Sequence, residues 1–152
     1  MGKKTSIYLI LGLILLVVTI VFLAAFKIII VSGYSMAPTF RNGQVLLMKR
    51  FAGEYDYGNI VILKQGNQKD LVKRIIGLPG DVINLENGKI MRNGIELSPY
   101  TCDENLLAIY TLGDGEFFVL GDNYQDSIDS RQFGTVTRDD ILGKIVSIKL
   151  LP

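Results

Sequence analysis

Apolar and polar positions follow two different patterns along this chain. Residues 7–26, "IYLILGLILLVVTIVFLAAF", form an uncharged apolar run. A helix rises 1.5 Å per residue, so about 20 such residues cross a hydrocarbon core of roughly 30 Å. Beyond residue 27 the apolar residues come in short runs that turn residues separate. The pattern predicts a single N-terminal transmembrane helix followed by a mainly β domain.

Lysines flank the apolar run and indicate its orientation. Lys3 and Lys4 precede it, and Lys27 follows it. The positive-inside tendency predicts a cytoplasmic N-terminus at residues 1–6 and an extracytoplasmic domain at residues 27–152 of a cell-membrane protein. A cleaved signal peptide is the alternative interpretation. However, the run exceeds the apolar core of about 7–15 residues that such peptides have, and it continues into "IIIV", so we expect an uncleaved anchor.

The domain beyond the anchor has the pattern of an antiparallel β protein. Two Asn-Gly pairs within residues 82–97 predict tight hairpins. Residues Arg138–Leu142, after Thr137, suggest one helical turn. The predicted strands are Gln44–Phe51, Asn59–Lys64, Leu71–Ile76, Glu116–Leu120 and Lys144–Leu150.

The composition excludes several kinds of chemistry. The chain has no histidine, which excludes a Ser-His-Asp triad and every histidine-ligated metal. Its one cysteine, Cys102, excludes an internal disulfide, and we interpret it as a small apolar residue. Three of the 16 basic residues lie in the first 27 positions, which leaves 13 basic against 15 acidic side chains in the domain. That balance disfavours a nucleic-acid partner.

A serine and a lysine are the candidate reactive groups. Ser35 lies in "SGYSMAPTFR" (32–41), directly after the apolar segment, and a serine needs a base to become a nucleophile. Lys73 lies among apolar residues in "DLVKRIIGLPGD" (70–81), and burial there would lower the pKa of its amine towards neutrality. From these residues alone both stay ambiguous. Residues 32–41 could equally be an ordinary loop rich in turn-forming residues, and a lysine in a strand more often faces solvent.

Three segments, in order, resemble the signature boxes of type I signal peptidases: "SGYSMAPT" (32–39), "KRIIGLPGD" (73–81) and "GDNYQDSIDSRQFG" (121–134). The resemblance implies a membrane-anchored serine endopeptidase that removes N-terminal signal peptides from exported preproteins, cleaving after a small residue at an Ala-X-Ala type of site. It implies no cofactor and no metal. It also implies a compact Gram-positive-like form, an antiparallel β-sheet catalytic domain with a small inserted β-hairpin region at about residues 81–115.

The resemblance also implies roles for individual residues. Ser35 would be the nucleophile, Lys73 the general base, and Ser127 the hydroxyl that orients the lysine. Gly33 occupies a position where some members have a serine that donates to the oxyanion. The supporting ion pairs would be Asp122 with Arg74 and Asp129 with Arg131, and the substrate pocket would include Val31, Met36 and Val72.

Three alternatives remain. The acidic segment 121–134 suggests a calcium loop, but the glycine and glutamate of the EF-hand pattern are absent from their positions. A self-cleaving repressor would use a similar Ser-Lys pair, but it would carry a DNA-binding module where this chain has the apolar run. A membrane-anchored β module that binds partners would have an inert serine, and Ser35→Ala would leave its function intact.

Overall fold

The structure, a computed structural model, describes residues 2–64 and 69–146. Helix α1 (Gly2–Ala25) leads directly into strand β1 (Phe26–Ile30). Within α1, the 20 residues Ser6–Ala25 have the length and apolar composition of a membrane span, and none of that segment is buried against the rest of the protein. Lipid is therefore the environment that this surface fits.

The remaining elements are short and mostly extended. Strands are β2 (Val45–Lys49), β3 (Ile60–Leu63), β4 (Leu71–Gly77), β5 (Val82–Glu86), β6 (Lys89–Arg92), β7 (Ile95–Thr101), β8 (Ala108–Thr111), β9 (Glu116–Leu120), β10 (Val136–Thr137) and β11 (Ile141–Val146). The short helices are α2 (Ser130–Phe133) and a 3₁₀ turn (Arg138–Asp140).

Two antiparallel sheets form the domain. A seven-stranded sheet has the order β1-β2-β11-β3-β4-β9-β10, and a four-stranded sheet has the order β7-β6-β5-β8. The sheets share a core, because Ile76 and Phe118 of the first pack with Ile83 and Leu85 of the second. Strand β4 lies inside the larger sheet, between β3 and β9. The predicted mainly β class with an N-terminal apolar helix is confirmed.

The two Asn-Gly pairs form the predicted hairpin turns. Asn87 and Asn93 both have φ of 52°, and Gly88 and Gly94 follow with φ of 77° and 79°. Two successive residues in the left-handed region fit the twist of antiparallel strands, and asparagine and glycine tolerate that region best. The turns join β5 to β6 and β6 to β7.

Local differences from the predicted elements have physical reasons. Helix α2 was not predicted, although Asp129 and Gln132 form a capping box that starts it. Strand β8 was also missed, since its four residues are too few to show a period. The predicted strand at 144–150 begins earlier, at Ile141, and its positions 147–150 lie outside the described residues.

Candidate active site

Ser35 lies on a turn that begins where β1 ends. The turn is closed by hydrogen bonds within it: the Ala37 N–H donates to the Tyr34 carbonyl at 2.9 Å, and the Gly33 N–H donates to Asn42 Oδ1 at 3.0 Å. Met36, the next residue, is fully buried, whereas Ser35 itself is partly exposed. The turn is thus anchored by its neighbours while its serine stays accessible.

Lys73 lies in the middle of the larger sheet, on β4. It pairs with Val61 of β3, and only 1 % of its surface is exposed. None of the ion pairs among the described residues includes this lysine. Burial lowers the pKa of its amine to about 8, while the nearby Asp129 carboxylate acts in the opposite direction. A dry environment of this kind favours a neutral amine.

Gly121 lies between the three predicted catalytic residues Ser35, Lys73 and Ser127. Arg74 pairs with Leu120, so the next positions along these antiparallel strands are Lys73 and Gly121. A Cβ atom at Gly121 would overlap Ser127 Oγ and would lie 2.5 Å from the carbonyl oxygen of Ser35. The backbone therefore approaches both serines more closely than any side chain would allow.

The loop after Gly121 holds the serine turn. The Asn123 N–H donates to the Ser35 carbonyl at 2.9 Å, and Asn123 Nδ2 donates to the Tyr34 carbonyl at 3.2 Å. Ser127 Oγ is buried and has no hydrogen-bond partner among the described residues. Within the described residues, no hydrogen bond joins the side chains of Ser35, Lys73 and Ser127. Catalytic hydrogen bonds are commonly long without substrate and shorten when substrate binds.

Arg74 forms a bidentate ion pair with Asp122. Its Nε and Nη2 donate to the two carboxylate oxygens at 2.8 and 2.7 Å, and its Nη1 donates to the Gly58 carbonyl at 2.8 Å. The Tyr100 hydroxyl donates to the same carboxylate at 3.2 Å. Burial raises the pKa of Asp122, but hydrogen bonds from Arg74, Thr39 and Tyr100 outweigh burial, so the pKa lies below its usual value.

A second bidentate pair joins Arg131 to Asp129, at 2.8 and 2.9 Å. The Asp129 carboxylate is fully buried and also accepts the Gly121 N–H at 2.9 Å. Arg131 Nη1 reaches the Thr101 carbonyl at 2.9 Å, so it ties the loop to strand β7 of the smaller sheet. Asp122 and Asp129 thus each face an arginine, an arrangement that does not favour a calcium loop.

The residues predicted to line a substrate pocket lie close to the serine turn. Val31 is buried and packs in an apolar cluster with the half-buried Val72. Met36 is buried directly beside Ser35. Gly33 has φ of 99°, a conformation that side chains rarely adopt, so a serine at this position would be strained.

Several residues that shape the site were not singled out from the sequence. Asn123 and Gly121 lie inside the segment that carries the resemblance, and a glycine at a close backbone approach is a known signal. Asn42 accepts a hydrogen bond from the Gly33 N–H, and no local pattern indicates that contact. Tyr100 reaches Asp122 from the smaller sheet, and no local pattern indicates that contact.

Several known proteins resemble this chain in sequence. A family model described as signal peptidase, peptidase S26, matches residues 4–150. A signal peptidase I of Bacillus caldolyticus is 36% identical over 145 residues, which cover 81% of this chain and 79% of that protein. Signal peptidase I P of Bacillus subtilis subsp. natto is 35% identical over 162 residues, with 93% and 88% covered. The crystal structure of a signal peptidase I from Enterococcus faecalis superposes with a TM-score of 0.48 and 26% identity, over 63% of this chain and 100% of that chain.

The chain belongs to the signal peptidase family, peptidase S26. It is a hydrolase of the serine endopeptidase class, and the predicted resemblance and enzyme class are confirmed. Together with the apolar helix α1, the family indicates a membrane-anchored protein.

Proposed function

We propose that this protein removes N-terminal signal peptides from exported preproteins by means of a Ser35–Lys73 dyad. The observation that carries the proposal is the burial of Lys73 in a peptidase chain that has no histidine, on a strand that pairs with the segment leading to Gly121, whose backbone lies against the Ser35 carbonyl. A histidine-free serine peptidase needs another base, and a desolvated lysine amine is a recognised alternative. Neither a partner-binding module nor a structural role requires a buried lysine in the middle of a sheet.

The amine must be neutral to act as a base. With a pKa of about 8, about one lysine in five is neutral near pH 7.4, against about one in 10³ for an unperturbed lysine. The neutral Lys73 amine takes the proton of Ser35 Oγ as that oxygen attacks the substrate carbonyl, which forms an acyl-enzyme. The resulting ammonium gives the proton to the leaving amine, and water then hydrolyses the ester with Lys73 again as base.

Ser127 and the Ser35 backbone complete the proposed chemistry. Ser127 Oγ is buried and has no partner among the residues that the structure describes, so a hydrogen bond with the Lys73 amine would satisfy both groups and orient the amine. The Ser35 N–H is the proposed oxyanion donor, a kind of interaction worth roughly 3 kcal/mol in the transition state. The Asp122–Arg74 and Asp129–Arg131 pairs support these positions by fixing the loop that contacts the serine turn.

The substrate is proposed to bind as an extended segment along the sheet edge near Ser35, adding main-chain hydrogen bonds. Small residues before the scissile bond would contact the apolar side chains of Val31, Met36 and Val72. The positive-inside tendency supports an N-terminus in the cytoplasm and a catalytic domain on the outer surface. The scissile bond of a signal peptide, just beyond its own apolar segment, would then lie at the height of the serine turn.

The test is cleavage of a preprotein with an Ala-X-Ala site by the detergent-solubilised full chain. N-terminal sequencing of the product locates the cut, which we expect directly after the second alanine. Ser35→Ala and Lys73→Ala should each abolish cleavage. Ser32→Ala, an exposed serine three residues earlier, and Lys49→Ala, an exposed strand lysine, are matched controls that should cleave normally.

Two results would contradict the proposal. Cleavage that survives in folded Lys73→Ala would remove the lysine from the mechanism. Failure of the folded wild type to cut any Ala-X-Ala preprotein would favour a binding role, with circular dichroism of each variant as the check on folding.

A further inference from the structure

The segment after β2 lies against the end of the apolar helix. The Arg50 N–H donates to the Ala25 carbonyl, the last of α1, at 2.8 Å. Lys49 pairs with Phe26, the first residue after the helix. If α1 spans the bilayer, Arg50 and the residues that follow it are held at the level of the lipid headgroups.

A solvent-open cleft of about 400 Å³ lies at this point, and Arg50 and Arg138 both line it. Arg138 is held in place on two sides. Its Nη2 donates to the carbonyls of Ala52, at 3.2 Å, and Gly53, and its guanidinium lies over the Tyr55 ring at 5.2 Å. A guanidinium that is already oriented loses little entropy when it binds an anion.

Neither arginine has a carboxylate partner within the part of the chain that the structure describes. Among residues 2–64 and 69–146, no carboxylate oxygen lies within 4.0 Å of either guanidinium, while four other ion pairs do form. Asp139 also lines the cleft and supplies its acidic group. Phe51, next to Arg50, is 73% exposed. Exposed aromatic and basic side chains together are typical of a membrane interface.

We propose that this cleft binds the headgroup of an anionic phospholipid of the phosphatidylglycerol type, with Arg50 and Arg138 on the phosphate. Phe51 would enter the acyl boundary beside the same lipid. The Asp139 carboxylate would repel a doubly charged phosphomonoester, but it can accept a hydrogen bond from a headgroup hydroxyl. A phosphodiester with one negative charge and a hydroxylated headgroup therefore matches the cleft, and the exposed Phe51 favours a lipid over free phosphate.

The experiment uses the full chain reconstituted into phosphatidylcholine vesicles that contain a trace of spin-labelled phosphatidylglycerol or spin-labelled phosphatidylcholine. Electron paramagnetic resonance measures the fraction of label that the protein immobilises. The wild type should immobilise the anionic label several-fold more strongly. Arg50→Gln should reduce that preference about fivefold, since one basic residue near a membrane contributes about that factor.

Lys89→Gln is the matched control, because it removes one charge from an exposed residue of the smaller sheet and should leave the preference unchanged. Arg138→Gln should act like Arg50→Gln. Arg50 is exposed, and its bond to Ala25 comes from the backbone, which Arg50→Gln keeps, so this variant tests the proposal even if Arg138→Gln does not fold.

Three results would overturn the proposal. The first is equal immobilisation of both labels by the wild type. The second is an equal loss of preference in Lys89→Gln, which would indicate net charge rather than a site. The third is displacement of the anionic label by inorganic phosphate, but not by sodium chloride of equal ionic strength, which would indicate a site for free phosphate. None of these readouts depends on peptidase activity.

Discussion

The turn that carries Ser35 and the strand that carries Lys73 are held in opposite ways. Ser35 is partly exposed, and its position depends on hydrogen bonds between loops, including those from Asn123. Lys73 is buried in a central strand, between β3 and β9. The difference follows from the chemistry proposed for each group. A nucleophile must meet the substrate, whereas a lysine base must be kept from water to remain neutral.

Burying the lysine base lowers the free energy of unfolding, whereas the partly exposed serine has no such cost. A pKa lowered from 10.5 to about 8 corresponds to about 3 kcal/mol of disfavoured charge at neutral pH. The rest of the larger sheet must supply that free energy. We call β4 and the residues around Lys73 the strand side, and the turn around Ser35 the turn side. Substitutions on the strand side should change stability and the pH dependence of cleavage, whereas substitutions on the turn side should change only the rate.

The largest expected effect comes from Lys73→Met. Cleavage should fall by roughly 10³-fold or more, because the base is lost. The variant should nevertheless be more stable than the wild type by about 3 kcal/mol below pH 8, since position 73 no longer carries a buried charge. Denaturant titration of the detergent-solubilised protein, followed by circular dichroism, measures the difference.

The sign of that pH dependence is fixed by the two pKa values. Between about pH 8 and 10.5 the unfolded chain binds more protons at Lys73 than the folded chain, so wild-type stability rises with pH over this window. The advantage of Lys73→Met should therefore shrink between about pH 8 and 10.5 and vanish above it. A difference that is constant over the whole range would contradict the burial of a titrating amine, and Lys49→Met is the exposed control.

Gly121→Ala should affect both sides at once. The added Cβ would overlap Ser127 Oγ and press on the Ser35 carbonyl, and backbone atoms cannot move aside cheaply. We expect a loss of about 1–3 kcal/mol in stability, and a drop of about 10²-fold in kcat/KM from displaced groups. Gly53→Ala is the control, because a Cβ there meets no atom within 4 Å. Equal behaviour of the two variants in unfolding and cleavage assays would disprove the close approach.

Asp129→Asn tests the electrostatics of the strand side. In the wild type, kcat/KM should rise with pH through about pH 8, as Lys73 loses its proton. The Asp129 carboxylate raises the pKa of Lys73, so its removal should move the rise to lower pH. An asparagine oxygen can still accept the Gly121 N–H, although Arg131 is left unpaired and the variant should be less stable by about 3–5 kcal/mol.

The matched control for this charge change is Asp114→Asn, an exposed loop carboxylate. Its pH profile should coincide with that of the wild type. A profile of Asp129→Asn that moves to higher pH would contradict the assigned sign of the interaction with Lys73.

Local sequence patterns predicted much of the fold and named the main site residues. The Asn87-Gly88 and Asn93-Gly94 turns were predictable because their backbone conformation depends on those two residues alone. The residues after Thr137 likewise indicated one helical turn, and the structure has a 3₁₀ turn there. The roles of Ser35 and Lys73 came from the resemblance and stay predictions.

Tertiary contacts explain what could not be predicted. Alternation along β4 places Lys73 and Arg74 on opposite faces but does not say which face is dry. Which face is buried depends on β9 and on Asp122, which is 48 residues from Arg74 in the chain and pairs with it. The contact of Tyr100 with Asp122 likewise requires the two sheets to meet. A sequence period reports the faces of one element only, so contacts between elements stay hidden.

Asn123→Ala has the smallest expected effect and separates the two sides most clearly. It removes the 3.2 Å hydrogen bond to the Tyr34 carbonyl but leaves the backbone bond to Ser35 in place. The maximal kcat should fall about tenfold or less, in line with the loss of one positioning bond of about 1 kcal/mol. The pH at which kcat/KM rises should not move, because Lys73 keeps its surroundings. Asn105→Ala, at an exposed loop position, should change neither quantity. A shifted pH profile in Asn123→Ala would mean that the serine turn and the lysine strand respond as one unit, and the division drawn between them would then be wrong.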